Sequence, residues 1–300
     1  MSASLDPLIA RWKQYLRYDP TRWLLETDDP SIQLWYQLDI AHRPEDAAAV
    51  LETRERVLYS DAVQVIFRAQ NEAGYWASPD ALAEPEFTAT LWNLALLAEL
   101  GIPRSSRRAR DACAFVLQNF LNEDGHFKGL NAAESGYLLR ALAYFRPDTE
   151  VVRAALALEK QVRTAEDALC ALWGWRALTD NAEVAAEADL MLERVLNVLG
   201  VRNLEHLALE TQYSPLTFPQ FDPEDPLFLL RVLAEYDRLQ DPRAVPLMDA
   251  LVAKQDERAR WTLERDFNAQ LLTPFERAGE PSRWITLNAL RVIVKLVGSL

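Results

Sequence analysis

Five stretches of this chain, residues 87–100, 132–145, 168–178, 226–236 and 284–297, carry so few charges that no face of a helix built from them suits water. A helix that is apolar all round must be covered on every side. Between these stretches lie others, 104–119, 150–161, 182–199 and 243–254, whose charges fall on one face and whose apolar residues fall on the other. The alternation predicts two layers, with fully covered helices inside and amphipathic helices outside.

The junctions support tight helical hairpins. Leu100-Gly101-Ile102-Pro103, Arg146-Pro147-Asp148, Thr179-Asp180-Asn181 and Gln240-Asp241-Pro242 each place a helix stop and a fresh start within a few residues. Asp29 before Pro30 opens a further inner helix over 32–41, and Ser60-Asp61 opens an outer one reaching Gln70. Six inner helices result, and an amino-terminal helix over 5–18 completes six outer ones. A single hairpin cannot bury its own apolar surface, so neighbours stack, and closing the circle removes bare ends. The expected fold is all-α, an α/α toroid (an α6/α6 barrel of helical hairpins) formed by residues 1–300 as one domain. Residues 200–225, with Pro215, Pro219 and Pro223, are expected as a long loop of the kind that covers a site.

Composition narrows the partners. Leu and Ala, not β-branched residues, dominate the apolar half of the chain, and glycines number only 9, which favours helix. With 45 acidic against 32 basic residues the net charge is -13, which repels phosphate backbones, so no nucleic-acid partner is expected. The basic run from Arg104 to Arg110 reads as a solvated outer face. No stretch approaches the roughly 18 uninterrupted apolar residues of a transmembrane span, and residues 1–20 lack the basic start followed by an apolar core of a signal sequence, so none is expected. The expected location is the cytoplasm. Cys113 and Cys170 lie in apolar helical runs and read as buried thiols.

The sharpest local motif is Gln70-Asn71-Glu72-Ala73-Gly74-Tyr75-Trp76, at the end of an outer helix. Gln255-Asp256-Glu257-Arg258-Ala259-Arg260-Trp261 keeps the same Gln-to-Trp distance, and residues 118–127, passing through Asp124-Gly125-His126, form a longer version from Gln118 to Phe127. A Gln amide can bond exposed main chain at a helix end, Gly permits a positive φ, and the aromatic ring plugs the gap to the next hairpin. In these turns the sequence resembles the superfamily of terpenoid cyclases and protein prenyltransferases, the squalene cyclase-like repeat proteins of bacterial type with their Gln-Trp (QW) motifs. The resemblance covers most of the chain. It implies an α/α toroid around an apolar chamber, and isoprenoid chemistry or prenyl transfer as the activity to look for.

The family's signature acids are absent. No Asp-x-Asp-Asp cluster exists for alkene protonation; the nearest approach, Asp222-Pro223-Glu224-Asp225, also reads as a helix cap. Asp28-Asp29-Pro30-Ser31-Ile32 lacks the last carboxylate of a magnesium-binding Asp-Asp-x-x-Asp. Asp111-Ala112-Cys113 with His126 or His206 superficially offers a zinc set, but residues two apart on a helix diverge, and His42, His126 and His206 share no ligand spacing. No metal and no cofactor are therefore predicted.

Inner helices do begin with acids, and Asp225, Glu134 and Asp167 are the candidates for catalytic general-acid work if the chain is an enzyme, though helix dipoles favour the same placement. Trp92, Tyr137, Trp173, Trp175 and Trp284 are the candidates for lining a ligand chamber, with only two or three expected to face it. The leading expectation is a toroid that binds a hydrophobic, isoprenoid-like small molecule. A carbohydrate-active α/α barrel, with two carboxylates across its mouth, and a non-catalytic peptide-binding scaffold stand as alternatives.

Overall fold

The computed structural model describes residues 13–205 and 215–298 of the chain, which are mostly helical. In chain order the helices are α1 (Thr21–Leu25), α2 (Pro30–Trp35, prolonged by a π-type turn Tyr36–Ile40), α3 (Ala48–Leu58), α4 (Asp61–Arg68), α5 (Thr90–Leu100), α6 (Arg107–Asn119), α7 (Ala132–Phe145), α8 (Thr149–Leu158), α9 (Ala165–Trp175), α10 (Ala182–Glu205), α11 (Pro226–Glu235), α12 (Val245–Ala253) and α13 (Arg283–Gly298). Extended structure among the described residues amounts to four two-residue strands and one isolated bridge. Strand β1 (Thr217–Phe218) pairs in parallel with β3 (Arg265–Asp266), and β2 (Trp261–Thr262) pairs antiparallel with β4 (Pro281–Ser282). No helix among the described residues is long and apolar enough to cross a membrane.

Two compact units make up the chain, one of residues 54–198 with 267–274, the other of residues 1–53, 199–266 and 275–300. In the first, α5, α7 and α9 pack side by side and are buried on nearly every face, while α6 and α8 lie against them with charged faces outward. The α7–α9 crossing is unusually close because glycine stands on both sides of it. A Cβ added at Gly136 would sit 2.2 Å from the Cys170 carbonyl oxygen, and one at Gly174 would sit 2.6 Å from the Gly136 carbonyl oxygen. In the second unit α11 and α13 are both buried on nearly every face and pack together, and α13 also meets α1, α2 and the π-type turn.

Helix starts follow from their side chains. Asn131 with Glu134, and Thr164 with Asp167, form reciprocal capping boxes at α7 and α9. Asp29 and Asp225 cap α2 and α11, each followed by a proline at the first helical position, where the missing N–H costs nothing.

The repeated turn is one device. In the first copy the Asn71 N–H reaches the Tyr75 carbonyl at 2.8 Å, and Gly74, at φ +101°, returns its N–H to Asn71. In the second the Asp256 N–H reaches the Arg260 carbonyl at 2.9 Å, with Ala259 at φ +55° in the glycine position. The Trp76 and Trp261 main-chain N–H groups each bond a threonine hydroxyl opening an inner helix, Thr90 and Thr286, both at 3.0 Å. Their indole N–H groups bond the carbonyls of Ile66 and Leu251, near the end of the preceding outer helix. Gln70 grips the next outer helix through the Arg108 carbonyl at 3.0 Å, and Arg108 answers with its own guanidinium, so this residue does more than solvate a face. Gln255 likewise donates to the Tyr15 carbonyl at 3.0 Å and accepts from the Arg17 N–H at 2.8 Å. Segment 13–17 thus stands to the last turn as α6 stands to the first.

Some expected boundaries move. The third turn has the same length as the others, because Asn122 bonds His126 as Asn71 bonds Tyr75 and Gly125 takes the positive φ. Leu121 therefore occupies the glutamine position, and Gln118 is exposed. The inner helix expected from 87 starts at Thr90, since Phe87 has φ +62° and Ala89 is extended. Helix α10 continues through Gly200 to Glu205, which shortens the loop expected over 200–225; residues 206–214, His206 among them, lie outside the described residues. Of the helix expected over 5–18, residues 5–12 also lie outside them, and Lys13–Tyr15 is a single 3-10 turn.

Candidate functional site

The five candidate aromatics divide by where their polar edge points. Trp175, 1% exposed, sends its indole N–H to the Ala155 carbonyl on the outer helix α8 at 3.0 Å, so it packs between layers. Trp284 is as deeply buried, stacked on Phe218 with ring centroids 4.2 Å apart and its indole N–H on the Asp29 carboxylate at 3.1 Å. Trp92 differs. Its N–H turns to the Ala83 carbonyl in the loop before α5, at 2.8 Å, and its ring meets Phe87 at 5.1 Å and Tyr137 of α7 at 6.0 Å.

Phe87 in turn touches Phe267 at 4.8 Å, so four rings make one continuous cluster within the 54–198 unit with residues 267–274. All four are buried, from 3% exposed at Tyr137 to 8% at Phe267. The same unit holds Trp173, under the Arg140 guanidinium at 4.1 Å. Phe87 and Phe267 carried no signal as partners: one sits in a non-helical bend, the other follows β3 in a loop far away in sequence.

The candidate acids are occupied with holding helix starts. Glu134 accepts the Asn131 N–H at 2.8 Å, and Asp167 accepts the N–H groups of Arg163 and Thr164 at 2.9 and 3.0 Å. Asp225 is wholly buried; one oxygen takes the Leu227 N–H and the other takes both the N–H and the hydroxyl of Thr217, all at 2.8 Å. Burial pushes its pKa up to about 6 against the pull of those donors. Asp222 pairs with Arg265, and Glu224 is exposed, so the acidic run 222–225 does not converge. Glu134 and Asp167 open the neighbouring helices α7 and α9, whereas Asp225 belongs to the other unit.

Asp29, the cap expected from the sequence, has a second half-buried acid beside it, Glu276, that no sequence pattern marks. Glu276 accepts the Arg283 N–H at 2.7 Å, the Trp284 N–H at 3.3 Å and the Ser282 hydroxyl, while Asp29 holds the Trp284 indole. Burial raises the pKa of both, and the proximity of Asp29 adds to the rise at Glu276. Both caps serve the starts of α2 and α13. No periodic signal marks Glu276, which lies in a loop.

Among the described residues the superficial zinc set is not assembled, and its alternative ligand His206 lies outside them. Asp111 is exposed while Cys113 is sealed, its thiol pushed up to about 12 by burial, and His126 bonds Gln161 through its ring. His42 is exposed, and Asp28 is exposed beside the capping Asp29. No family model matches this sequence, and no curated protein is detectably similar to it.

Proposed function

We propose that this chain is an α/α toroid that binds a hydrophobic small molecule of isoprenoid type against the cluster Phe87, Trp92, Tyr137 and Phe267. The observation carrying the reading is the contrast among tryptophans: those at 76, 175 and 261 bond the ends or backs of outer helices, whereas Trp92 turns its ring toward the rings of Phe87 and of Tyr137 on the neighbouring inner helix. Aromatic faces suit a greasy or cationic species, each cation contact contributing on the order of 0.5–2 kcal/mol. The toroid is supported by the repeated turn, and by the amino-terminal segment standing where a further outer helix belongs.

Binding, rather than turnover, is the substance of the proposal. Glu134 and Asp167 each give one carboxylate oxygen to a capping box, and Asp225 gives both of its oxygens to Leu227 and Thr217, which supports a structural role for these acids. Native mass spectrometry of freshly purified protein tests the reading, together with thermal shift against isoprenoid alcohols and diphosphates. A co-purified lipid or a saturable shift that Trp92→Ala removes supports it; no adduct and no shift with any of these compounds refutes it.

A further inference from the structure

Two arginines stack on one indole in the unit formed by residues 1–53, 199–266 and 275–300. The Arg260 guanidinium lies 4.3 Å from the centre of the Trp23 ring, and that of Arg283 lies 4.7 Å from it. Neither has a carboxylate partner among the described residues. Arg283 spends its donors on the carbonyls of Trp23 and Glu26 at 3.3 and 3.1 Å, and the Arg260 Nε is buried without an acceptor. The nearby carboxylate of Glu26 is taken by Arg22. The two guanidinium groups repel each other, and an anion bound between them would offset that repulsion.

The repeat shows that the fold does not require them. Arg260 stands in the turn where Tyr75 stands in the first copy and His126 in the third, and Tyr75 makes the neighbouring contact with an uncharged ring, Phe115, at 5.1 Å. Counting back from the paired threonines, Arg283 before Thr286 corresponds to Phe87 before Thr90. At two repeat positions that are aromatic in the first copy, the last copy carries guanidinium groups and turns both onto Trp23.

We infer that Arg260, Arg283 and Trp23 form an oxyanion site, fitted to a phosphate group whose oxygens take the free N–H groups of Arg260 beside the ring. Arg is suited to this by its planar fork of donors and by its tolerance of stacking. The site shares no residue with the aromatic cluster proposed above and stands whether or not that cluster binds anything.

Inorganic phosphate and pyrophosphate are the probes, titrated by calorimetry and by thermal shift against chloride at matched ionic strength. Saturable binding is expected, with the dissociation constant raised about tenfold or more in Arg260→Gln, as loss of a charged hydrogen-bonding partner implies. Arg258→Gln, an equal charge change at an exposed neighbour in the same turn, is expected to bind as the parent does. Co-sedimentation with vesicles containing phosphatidic acid, with and without competing pyrophosphate, separates a lipid headgroup from a free phosphate as the source. Absence of saturable binding to either probe, or equal weakening by Arg258→Gln and Arg260→Gln, overturns the inference. Should Arg260→Gln prove unstable, Trp23→Phe replaces it; it keeps both cations, is expected to weaken binding, and overturns the inference if it has no effect.

Discussion

Replacing Gly136 with alanine is the sharpest test of how α7 and α9 meet. The new methyl carbon would stand 2.2 Å from the Cys170 carbonyl oxygen, 2.4 Å from its carbon and 3.0 Å from the Ala171 nitrogen. All three are main-chain atoms inside a helix, so no side chain can swing aside. Restoring ordinary contact requires the two helices to part by about 1 Å, and a gap of that size forfeits a quarter to a half of each dispersion contact across it. Alanine alone favours helix over glycine by about 1 kcal/mol, which offsets only part of the loss. The expected net effect is destabilisation by about 3 kcal/mol, the upper range for an overpacked core. Gly200→Ala in α10 is the control of opposite sign, because its new carbon would meet only the flexible side chain of Arg243, at 3.3 Å, and it is expected to gain up to about 1 kcal/mol. Urea denaturation followed by circular dichroism measures both. If Gly136→Ala matches or exceeds the parent in stability, the close crossing is wrong.

Gln255→Ala removes hydrogen bonds to Tyr15, Arg17 and Val252 at a buried position, and is expected to cost about 2–3 kcal/mol and to expose the amino-terminal segment to limited proteolysis. An unchanged cleavage pattern near residue 17 would contradict the role given to this turn. Asp225 holds its proton more tightly in the folded chain, at about 6, than its ordinary value of 3.8, so its ionised form is penalised above that pH and the penalty fades as pH falls through it. Relative to Asp225→Asn, the parent is expected to gain on the order of 3 kcal/mol between pH 8 and pH 4, read from denaturation midpoints; a pH-independent difference would show the group is not buried as described. Trp175→Phe loses one indole hydrogen bond and is expected to lower stability by about 1–2 kcal/mol while leaving any hydrophobic ligand bound, whereas Trp92→Ala is expected to release it. Ligand loss from both variants alike, by native mass spectrometry, would show that the N–H directions do not sort the rings.

Periodicity and punctuation carried most of the helical reading, for reasons visible in particular elements. Residues 132–145 were bounded correctly because Asn131 and Glu134 form a capping box and Pro147 stops the run. Gly200 misled because one glycine costs a helix only about 1 kcal/mol, and the turns of α10 on either side carry it through. Helices α1 and α3 went unread: α1 is one turn long, and α3 buries little beyond Val50, Thr53 and Val57 beneath a run of charges. The acids at helix starts were visible, but whether they cap or catalyse depends on where their lone pairs go, which residue spacing does not encode. Phe87, Phe267, Glu276 and the stacking on Trp23 arise from loops and from contacts distant in sequence, where no period exists to read.

The bond from Gln255 to Tyr15 joins residues 240 positions apart. During synthesis the amino-terminal segment emerges first, yet its docking place is built only when the last outer helix and its turn leave the ribosome. Segment 13–17 is thus made long before the turn that seats it, and a nascent chain stalled before residue 255 would leave that segment without this docking place, open to chaperones and proteases.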